Sequence, residues 1–390
     1  MTDRQSVAVV AAEQAPRKVH LAHLEGLRAL AALTVYVNHA YAQTWEQVGP
    51  QFANPPLPFR LFMVFGHLAV SVFIVISGFC LALPVIDGHD RLRGGAADFF
   101  KRRARRILPP YYGSLLLSLA LIATIIGKPT GTLWDFPIQV DWKAVVAHVL
   151  LLQDFFRTAR INYVLWSIAV EWHIYFLFPL FVWGTARFGI LRVASLAMLL
   201  GFAARFAAEG TRVQRANPQY LGLFALGMFA AYVVRSKKPE LARFTASRYW
   251  GWAALTLFVA IVALCLWWGI PTSVERFPYL DLPAGMMAMA ILIHSSLSSS
   301  AALARVLNLR VLTFIGTFSY SLYLVHAPLL QVIWQYVLDP LRLTPLQTFM
   351  ALMTLGLAAV LAASYGFFRL CEQPFMRSPA RRAAPSASAA

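Results

Sequence analysis

Charged residues are scarce in this sequence, and acidic residues are the scarcest of them. Only 13% of the 390 residues are charged, whereas a soluble globular domain carries about 25%. Hydrophobic residues make up 59% of the chain, so the composition excludes a soluble domain and predicts an integral membrane protein. Asp and Glu number 17 against 34 Lys and Arg, and this excess of basic residues has to be explained by where they lie.

Cysteine is also rare, and several motifs are missing. Cys80, Cys265 and Cys371 lie in or beside apolar runs, and their odd number and wide spacing predict neither a disulfide framework nor a metal site. There is no P-loop, no glycine-rich dinucleotide-binding turn and no serine nucleophile elbow. No alternating ten-residue strand pattern appears, so the spans are predicted to be helices.

Long apolar stretches predict an all-α polytopic membrane bundle of about ten transmembrane helices. Most are near the roughly 20 residues that one span requires. They cover residues 22–42, 62–84, 108–127, 165–185, 189–206, 218–235, 249–269, 281–298, 311–337 and 345–371. A shorter apolar stretch at 143–156 predicts a re-entrant or interfacial helix. The transmembrane domain is predicted at 20–374, between a cytoplasmic segment at 1–19 and a disordered cytoplasmic tail at 375–390.

The basic residues concentrate in alternate loops. The segments 91–106, 235–248 and 305–310 and the tail are rich in Arg and Lys, and the loop at 205–215 is the exception to the alternation. With ten spans, the rich loops fall on the side of both termini. The positive-inside rule then predicts that both termini are cytoplasmic. Membrane orientation therefore explains the net charge, and no nucleic-acid partner is expected.

Arg28 and His39 lie on nearly one face of the first predicted helix. Eleven residues separate them, which is close to three turns and about 16 Å of rise. Polar side chains inside a span are costly, so each is a functional candidate. The alternatives are that Arg28 anchors the helix at the membrane surface and that His39 is an interfacial histidine.

Glu171 follows Trp166 in the fourth predicted helix, one to two turns inside its outer boundary. His39 is predicted at a comparable depth from the same side. A buried carboxylate needs a partner. We therefore predict that Glu171 pairs with His39 and holds its imidazole in the tautomer that a general base requires.

Two further segments carry candidate residues. Arg102, Arg103 and Arg106 are close to one turn apart at the start of the third helix, where guanidinium groups suit phosphates but are also typical of a topology signal. His326 lies mid-membrane near Tyr323, and it is either a site residue or a histidine that is only hydrogen-bonded to a neighbour. Pro328 is expected to kink this helix and free a carbonyl group.

These segments together resemble the acyltransferase-3 family, the bacterial integral-membrane O-acyltransferases. The resemblance runs from about residue 20 to residue 374. It is carried by the Arg28–His39 segment, by Ser77-Gly78-Phe79, by the arginine-rich stretch from Phe100 to Tyr111, by Leu165-Trp166-Ser167 with Glu171-Trp172, and by the stretch from Ser319 to His326 with Pro328.

The resemblance implies acyl transfer, usually of acetyl, from cytoplasmic acyl-CoA to a hydroxyl of a sugar or cell-surface glycan. Arg28, Arg102, Arg103 and Arg106 would bind the CoA phosphates. His39 would be the general base, oriented by Glu171. Three residues would line the acceptor or acyl pocket, namely Tyr323, His326 and Trp166. The implied location is the bacterial cytoplasmic (inner) membrane, with no metal.

The acceptor and the partners stay open at this point. Many family members carry an appended hydrolase-like domain, which is not expected here. The protein would then act alone on a lipid-linked sugar or small hydroxyl acceptor, or hand over to a separate periplasmic protein; it could also form a homo-oligomer. The alternative function is a transporter or exporter of a carbohydrate or an acyl-bearing intermediate, which the lack of a visible inverted repeat weakens.

Overall fold

The computed structural model describes residues 21–45, 57–135, 138, 140–156, 161–298 and 301–376. These residues are mostly helical and contain no β-strand, so the all-α prediction is confirmed. The helices named here are α1 Ala22–Trp45, α2 Phe62–Asp87, α3 Gly95–Thr124, α4 Trp142–Val149, α5 Trp166–Phe188, α6 Ile190–Ala207, α7 Tyr220–Arg235, α8 Trp250–Trp268, α9 Phe277–Leu297, α10 Arg310–Thr317, α11 Ser319–Leu341 and α12 Pro345–Met376. Short helices at Leu57–Arg60, Arg212–Arg215, Ala242–Thr245, Ile270–Glu275 and Ala302–Leu307 connect them.

Eight of the described helices are long and apolar enough to cross a membrane, namely α2, α3, α5, α6, α8, α9, α11 and α12. The prediction of a multi-pass membrane protein is therefore confirmed. Helix α1 has 24 residues but carries several polar and charged side chains, and α7 is apolar but has only 16 residues. The total of ten spans stays a prediction.

Two predicted helix boundaries are wrong. Helix α3 begins at Gly95 rather than at 108, because Arg, Lys and Ala are good helix formers and the helix continues beyond its apolar part. Pro109 and Pro110 consequently lie inside α3 and not in its first turn. The predicted helix 311–337 is divided at Phe318 into α10 and α11.

Helix α1 lies at the centre of the site and is held by close backbone contacts. It packs against α2, α10, α11 and α12. A Cβ atom at Gly26 would lie 1.8 Å from the Leu307 carbonyl oxygen, and one at Gly316 would lie 2.1 Å from that of Glu25. Only glycine permits these approaches, which set the height of α1 against the chain around α10.

The proline in α11 determines where α5 begins. Pro328 has no N–H group, so the Leu324 carbonyl four residues earlier loses its helical donor. That carbonyl accepts hydrogen bonds from Ser114 Oγ (2.8 Å) and Asn162 Nδ2 (3.0 Å) instead. The predicted freed carbonyl is therefore confirmed, and the bond to Asn162 anchors the segment 161–165 inside the protein, where all five residues are buried. Helix α5 thus starts below the bundle surface.

The two described ends of the chain lie at the same end of the bundle. Arg28 near the start of α1 is within electrostatic range of Glu25 on the same helix. It is also within range of Glu372 near the end of α12. We call this the basic end. Such an arrangement agrees with an even number of crossings. The predicted segment 1–19 and most of the predicted tail lie outside the described residues.

Candidate active site

His39 and His326 form a hydrogen-bonded pair in the middle of the bundle. His39 Nδ1 lies 2.7 Å from His326 Nε2, and the two rings are nearly parallel with an interplanar angle of 19°. His326 is buried, whereas His39 is half-buried. The structure therefore makes His326 the immediate partner of His39, a role that the sequence assigned to Glu171.

The backbone decides which nitrogen atoms carry protons. His326 Nδ1 lies 2.8 Å from the Tyr323 carbonyl oxygen and 3.1 Å from that of Leu322. A carbonyl can only accept, so Nδ1 is the protonated nitrogen of His326 and its Nε2 accepts from His39 Nδ1–H. The lone pair of a neutral His39 is then on Nε2, which makes no hydrogen bond within the described part of the chain.

His39 lines a cavity of about 200 Å³ that we call the histidine cavity. Its polar wall includes Asn38, His67, Trp166 and Tyr323. The other lining residues are Val35, Ala42, Met63, Gly66, Val70, Leu133, Val274 and Phe277. The His39 ring thus lines a partly open, mostly apolar space, which is where a general base is placed.

Glu171 lies on the basic side of this cavity and not beside His39. Its Oε1 accepts a 2.6 Å hydrogen bond from the Tyr175 hydroxyl, and its charge acts on Arg28. The predicted Glu171–His39 pair is wrong. The prediction placed the two side chains at the same depth, which requires α5 to start at the surface of the bundle. Since α5 starts inside the bundle, Trp166 at its first position reaches the cavity. Glu171 lies five residues farther along the helix, about 7 Å closer to Arg28.

Three half-buried arginine residues face one another at the basic end. Arg106 is within electrostatic range of Arg28 and Arg103. Arg28 has one weak ion pair, with Glu25 at 3.9 Å, while the described residues offer Arg103 and Arg106 no salt bridge within 4 Å. The Nε atom of Arg103 is buried without a hydrogen-bond partner. Such a concentration of unpaired guanidinium groups fits an anion.

Arg102 does not join this cluster. Its side chain is exposed, and its Nη2 donates a 2.8 Å hydrogen bond to the carbonyl oxygen of Arg93. Adjacent residues point about 100° apart on a helix, so Arg102 and Arg103 flank Arg106 on opposite sides, and only the side of Arg103 faces Arg28. The structure therefore brings together Arg28, Arg103 and Arg106 and leaves Arg102 outside.

Polar side chains connect the basic end with the histidine cavity. Tyr175 bridges Glu171 and Ser77, the latter at 3.0 Å. Closer to the cavity, the Tyr323 hydroxyl lies 2.7 Å from Ser167 Oγ, and its ring centroid is 5.9 Å from that of His326. Tyr323 and Trp166 thus line the cavity, while His326 contacts His39 and does not line the cavity itself.

Two residues at the cavity were not identified as candidates from the sequence. His67 lines the cavity from α2, and Asp281, counted only as a loop charge, is fully buried on α9. A histidine inside the most apolar predicted span is a signal of the same kind as His39. His67 lies outside every recognisable motif, so the sequence pattern did not mark it as a candidate.

Comparison with known proteins bears on the family of this chain. The sequence model of the acyltransferase-3 family, described as an acyltransferase domain, matches residues 21–369. The chain belongs to the acyltransferase-3 family. This match confirms the family resemblance and agrees with the enzyme class predicted from the sequence.

Curated relatives have similar descriptions. The O-acetyltransferase OatA of Staphylococcus aureus (strain NCTC 8325 / PS 47) is 26% identical over 345 residues, which cover 81% of this chain and 52% of the relative. The acyltransferase MdmB of Streptomyces mycarofaciens is 30% identical over 174 residues, covering 42% of this chain and 40% of MdmB. The chain thus spans about half the length of OatA. No solved structure matches it.

Proposed function

We propose that this protein is a membrane-embedded O-acyltransferase that moves an acyl group, acetyl in the first instance, from acyl-CoA to a hydroxyl of a sugar or cell-surface glycan. The observation that carries the proposal is the two-ended α1. His39 lines a cavity with a basic nitrogen, and Arg28 lies about 16 Å along the same helix in a cluster of arginine residues that has one weak ion pair among the described residues. A thioester donor with phosphates at its far end needs a basic group at the thioester and cations at the phosphates.

The chemistry at the cavity follows from the two imidazoles. His39 Nε2 takes the proton of the acceptor hydroxyl while the hydroxyl oxygen attacks the thioester carbonyl. Collapse of the tetrahedral intermediate breaks the carbon–sulfur bond, and the CoA thiolate takes the proton back from His39. His326 shares the positive charge through the 2.7 Å bond, with the Tyr323 and Leu322 carbonyl dipoles behind it.

The donor would enter from the basic end. Arg28, Arg103 and Arg106 bind the CoA phosphates, because Arg103 and Arg106 have no salt bridge among the described residues and Arg28 has only a weak one, with Glu25 at 3.9 Å. The pantetheine arm then follows the side chains of Glu171, Tyr175 and Tyr323 toward His39. In this proposal Glu171 balances the arginine charge when the donor is absent, and it takes no proton from the acceptor.

The basic end is proposed to face the cytoplasm, where acyl-CoA is available, in the bacterial cytoplasmic membrane. The segment 235–248, which is rich in Lys and Arg, lies at the same end as Asp87 and Asp90, to which it binds through Arg235 (2.8 Å) and Lys238 (2.7 Å). The acceptor is proposed to be a lipid-linked sugar, a glycan or a small hydroxyl compound, reached directly or through a separate periplasmic partner.

Acetyl-CoA turnover by the purified full chain in nanodiscs tests the proposal. Wild type should release free CoA thiol, and His39→Gln should reduce the rate about 100-fold or more, since general base catalysis contributes roughly 10²–10⁴. The control is His294→Gln, a histidine on α9 at a separate apolar cavity of about 700 Å³. Vesicles that move a sugar without releasing CoA would support the transporter alternative and refute this proposal.

A further inference from the structure

A second histidine with a carboxylate partner stands on the wall of the histidine cavity. His67 Nε2 lies 3.0 Å from Asp281 Oδ1. Asp281 is fully buried, and its carboxylate also accepts from Ser71 Oγ (2.7 Å, Oδ1) and Gln219 Nε2 (3.0 Å, Oδ2). Three donors on one buried carboxylate hold it rigidly, so the position of the His67 ring is set from behind.

The bond to Asp281 also determines which His67 nitrogen is free. In the neutral ring a carboxylate accepts, so Nε2 carries the proton and Nδ1 carries the lone pair. The Tyr220 hydroxyl is the other neighbour of Nε2, at 3.3 Å. Within the described residues Nδ1 has no hydrogen-bond partner. A half-buried ring at a cavity wall thus offers an unused acceptor.

Aromatic rings flank this imidazole. Phe277 stacks on His67 with ring centroids 4.0 Å apart and an interplanar angle of 8°. Trp166 is also nearly parallel to it, at 6.0 Å and 11°. Broad aromatic faces beside hydrogen-bonding groups suit a ligand that has an apolar ring face and polar edges, which is the shape of a pyranose.

The size of the cavity limits the ligand. Its volume of about 200 Å³ is below the roughly 300–1,000 Å³ of pockets that enclose drug-sized molecules. One sugar ring is of about the size of this cavity, which is partly open. A longer glycan could place only its reacting residue there.

We propose that Trp166, His67 and Asp281 form the acceptor-sugar subsite of the histidine cavity. Trp166 packs against one face of a pyranose, and His67 Nδ1 accepts a hydrogen bond from a hydroxyl next to the one that His39 deprotonates. His67 takes no proton in the transfer and instead selects the acceptor and its reacting hydroxyl. Asp281 is a positioning residue that acts through His67. The inference rests on the proposed function and names its acceptor class.

Octyl β-glucopyranoside, octyl β-galactopyranoside and octyl β-mannopyranoside are the probes, with octanol as a hydroxyl compound that has no sugar ring. The full chain is assayed with acetyl-CoA, and mass spectrometry identifies the esterified hydroxyl. His67→Phe keeps ring stacking and removes Nδ1. We expect it to raise the KM of the preferred glycoside three- to tenfold, the range for one neutral hydrogen bond, or to spread the ester over several hydroxyls.

The donor reaction separates the two levels of the proposal. In His67→Phe the glycoside KM should rise by a larger factor than the KM of acetyl-CoA, and Asp281→Asn should shift the glycoside KM in the same direction by less. His294→Phe serves as the matched control, and equal elution profiles exclude misfolding. An unchanged glycoside KM and product position in His67→Phe, or equal use of octanol by wild type, refutes the sugar subsite; a wild type that releases no CoA refutes the acyl transfer itself.

Discussion

At the scale of single residues, backbone carbonyls set the tautomers of the histidine pair. Among the described residues His326 Nδ1–H is held by the Tyr323 and Leu322 carbonyls and not by a carboxylate, and this leaves Nε2 to accept a hydrogen bond from His39 Nδ1–H. The pair therefore resembles a histidine–carboxylate dyad in geometry but ends in neutral dipoles. Such an arrangement avoids burying an extra charge in the bundle.

Removing the acceptor behind His39 should slow the chemistry without weakening donor binding. We expect His326→Phe to lower kcat about 10- to 100-fold, because His39 then loses its fixed tautomer. The KM of acetyl-CoA should change less than twofold. His326→Gln keeps an acceptor oxygen and should recover part of the rate. Steady-state kinetics check this, and equal losses in both variants would contradict the tautomer argument.

The arginine residues of α3 should divide into two classes. Arg103→Ala and Arg106→Ala should each raise the KM of acetyl-CoA about tenfold or more, since a hydrogen bond to a charged group contributes roughly 1.5–3 kcal/mol. Arg102→Ala is the matched control on the same helix and should change it by less than twofold, because its side chain is exposed and bonded to Arg93.

The measurement is the acetyl-CoA dependence of thiol release at two salt concentrations. Higher salt should raise the KM of wild type and of Arg102→Ala, and should have less effect on Arg103→Ala, which has lost one phosphate contact. A KM increase in Arg102→Ala equal to that in Arg103→Ala would mean that the whole arginine stretch acts through surface charge.

At the scale of elements, glycine contacts set the positions of the helices around the cavity. Helices α2 and α7 meet where a Cβ atom at Gly78 would lie 2.0 Å from the Phe224 carbonyl oxygen and one at Gly227 would lie 1.9 Å from that of Val75. This reciprocal contact lets the two backbones touch. It also sets α7, which carries Tyr220, against α2, which carries His67.

Adding a methyl group at this crossing should loosen the bundle. Half of the protein stays monodisperse at a certain temperature, and we expect Gly78→Ala or Gly227→Ala to lower that temperature by about 5 °C. The reason is that overpacking costs roughly 1–3 kcal/mol or more. Gly366→Ala in α12 is the control, because nothing lies within 4 Å of its added Cβ. Size-exclusion profiles after heating check this, and an equal loss in all three variants would contradict it.

At the scale of the whole molecule, the basic end and the opposite end should face different compartments. In a chain whose three native cysteines are replaced by alanine, Arg243→Cys reports on the basic end and Glu275→Cys on the opposite end, and both positions are exposed. A membrane-impermeant maleimide should label Glu275→Cys in intact spheroplasts and Arg243→Cys only after permeabilisation. Labelling of both before permeabilisation, or the reverse pattern, would contradict a cytoplasmic basic end.

Much of the fold was predictable from sequence because it depends on local composition. Every predicted long helix has a helical counterpart, since an apolar run of about 20 residues is readable without knowing its neighbours. The start of α3 was not predictable, because its first turns are charged and form a helix without being apolar. The freed carbonyl before Pro328 was predictable in kind, but its partners, Ser114 and Asn162, are distant in sequence.

The candidate site divides in the same way. Arg28, His39 and the arginine stretch were identified because a polar group in an apolar helix is conspicuous, and the face shared by Arg28 and His39 follows from helical spacing alone. The sequence could not predict that His39 pairs with His326 rather than with Glu171. It depends on the offset between two helices, which helical spacing within each of them does not contain.

The sequence by itself determined that this chain is a helical membrane protein of the acyltransferase-3 family, with a cation and an imidazole on one face of its first helix. Only the tertiary structure decided what that imidazole contacts. The reason is physical: a proline in α11 frees one carbonyl, that carbonyl binds Asn162, and α5 therefore begins inside the bundle. This offset takes Glu171 to the arginine residues and leaves His39 with His326.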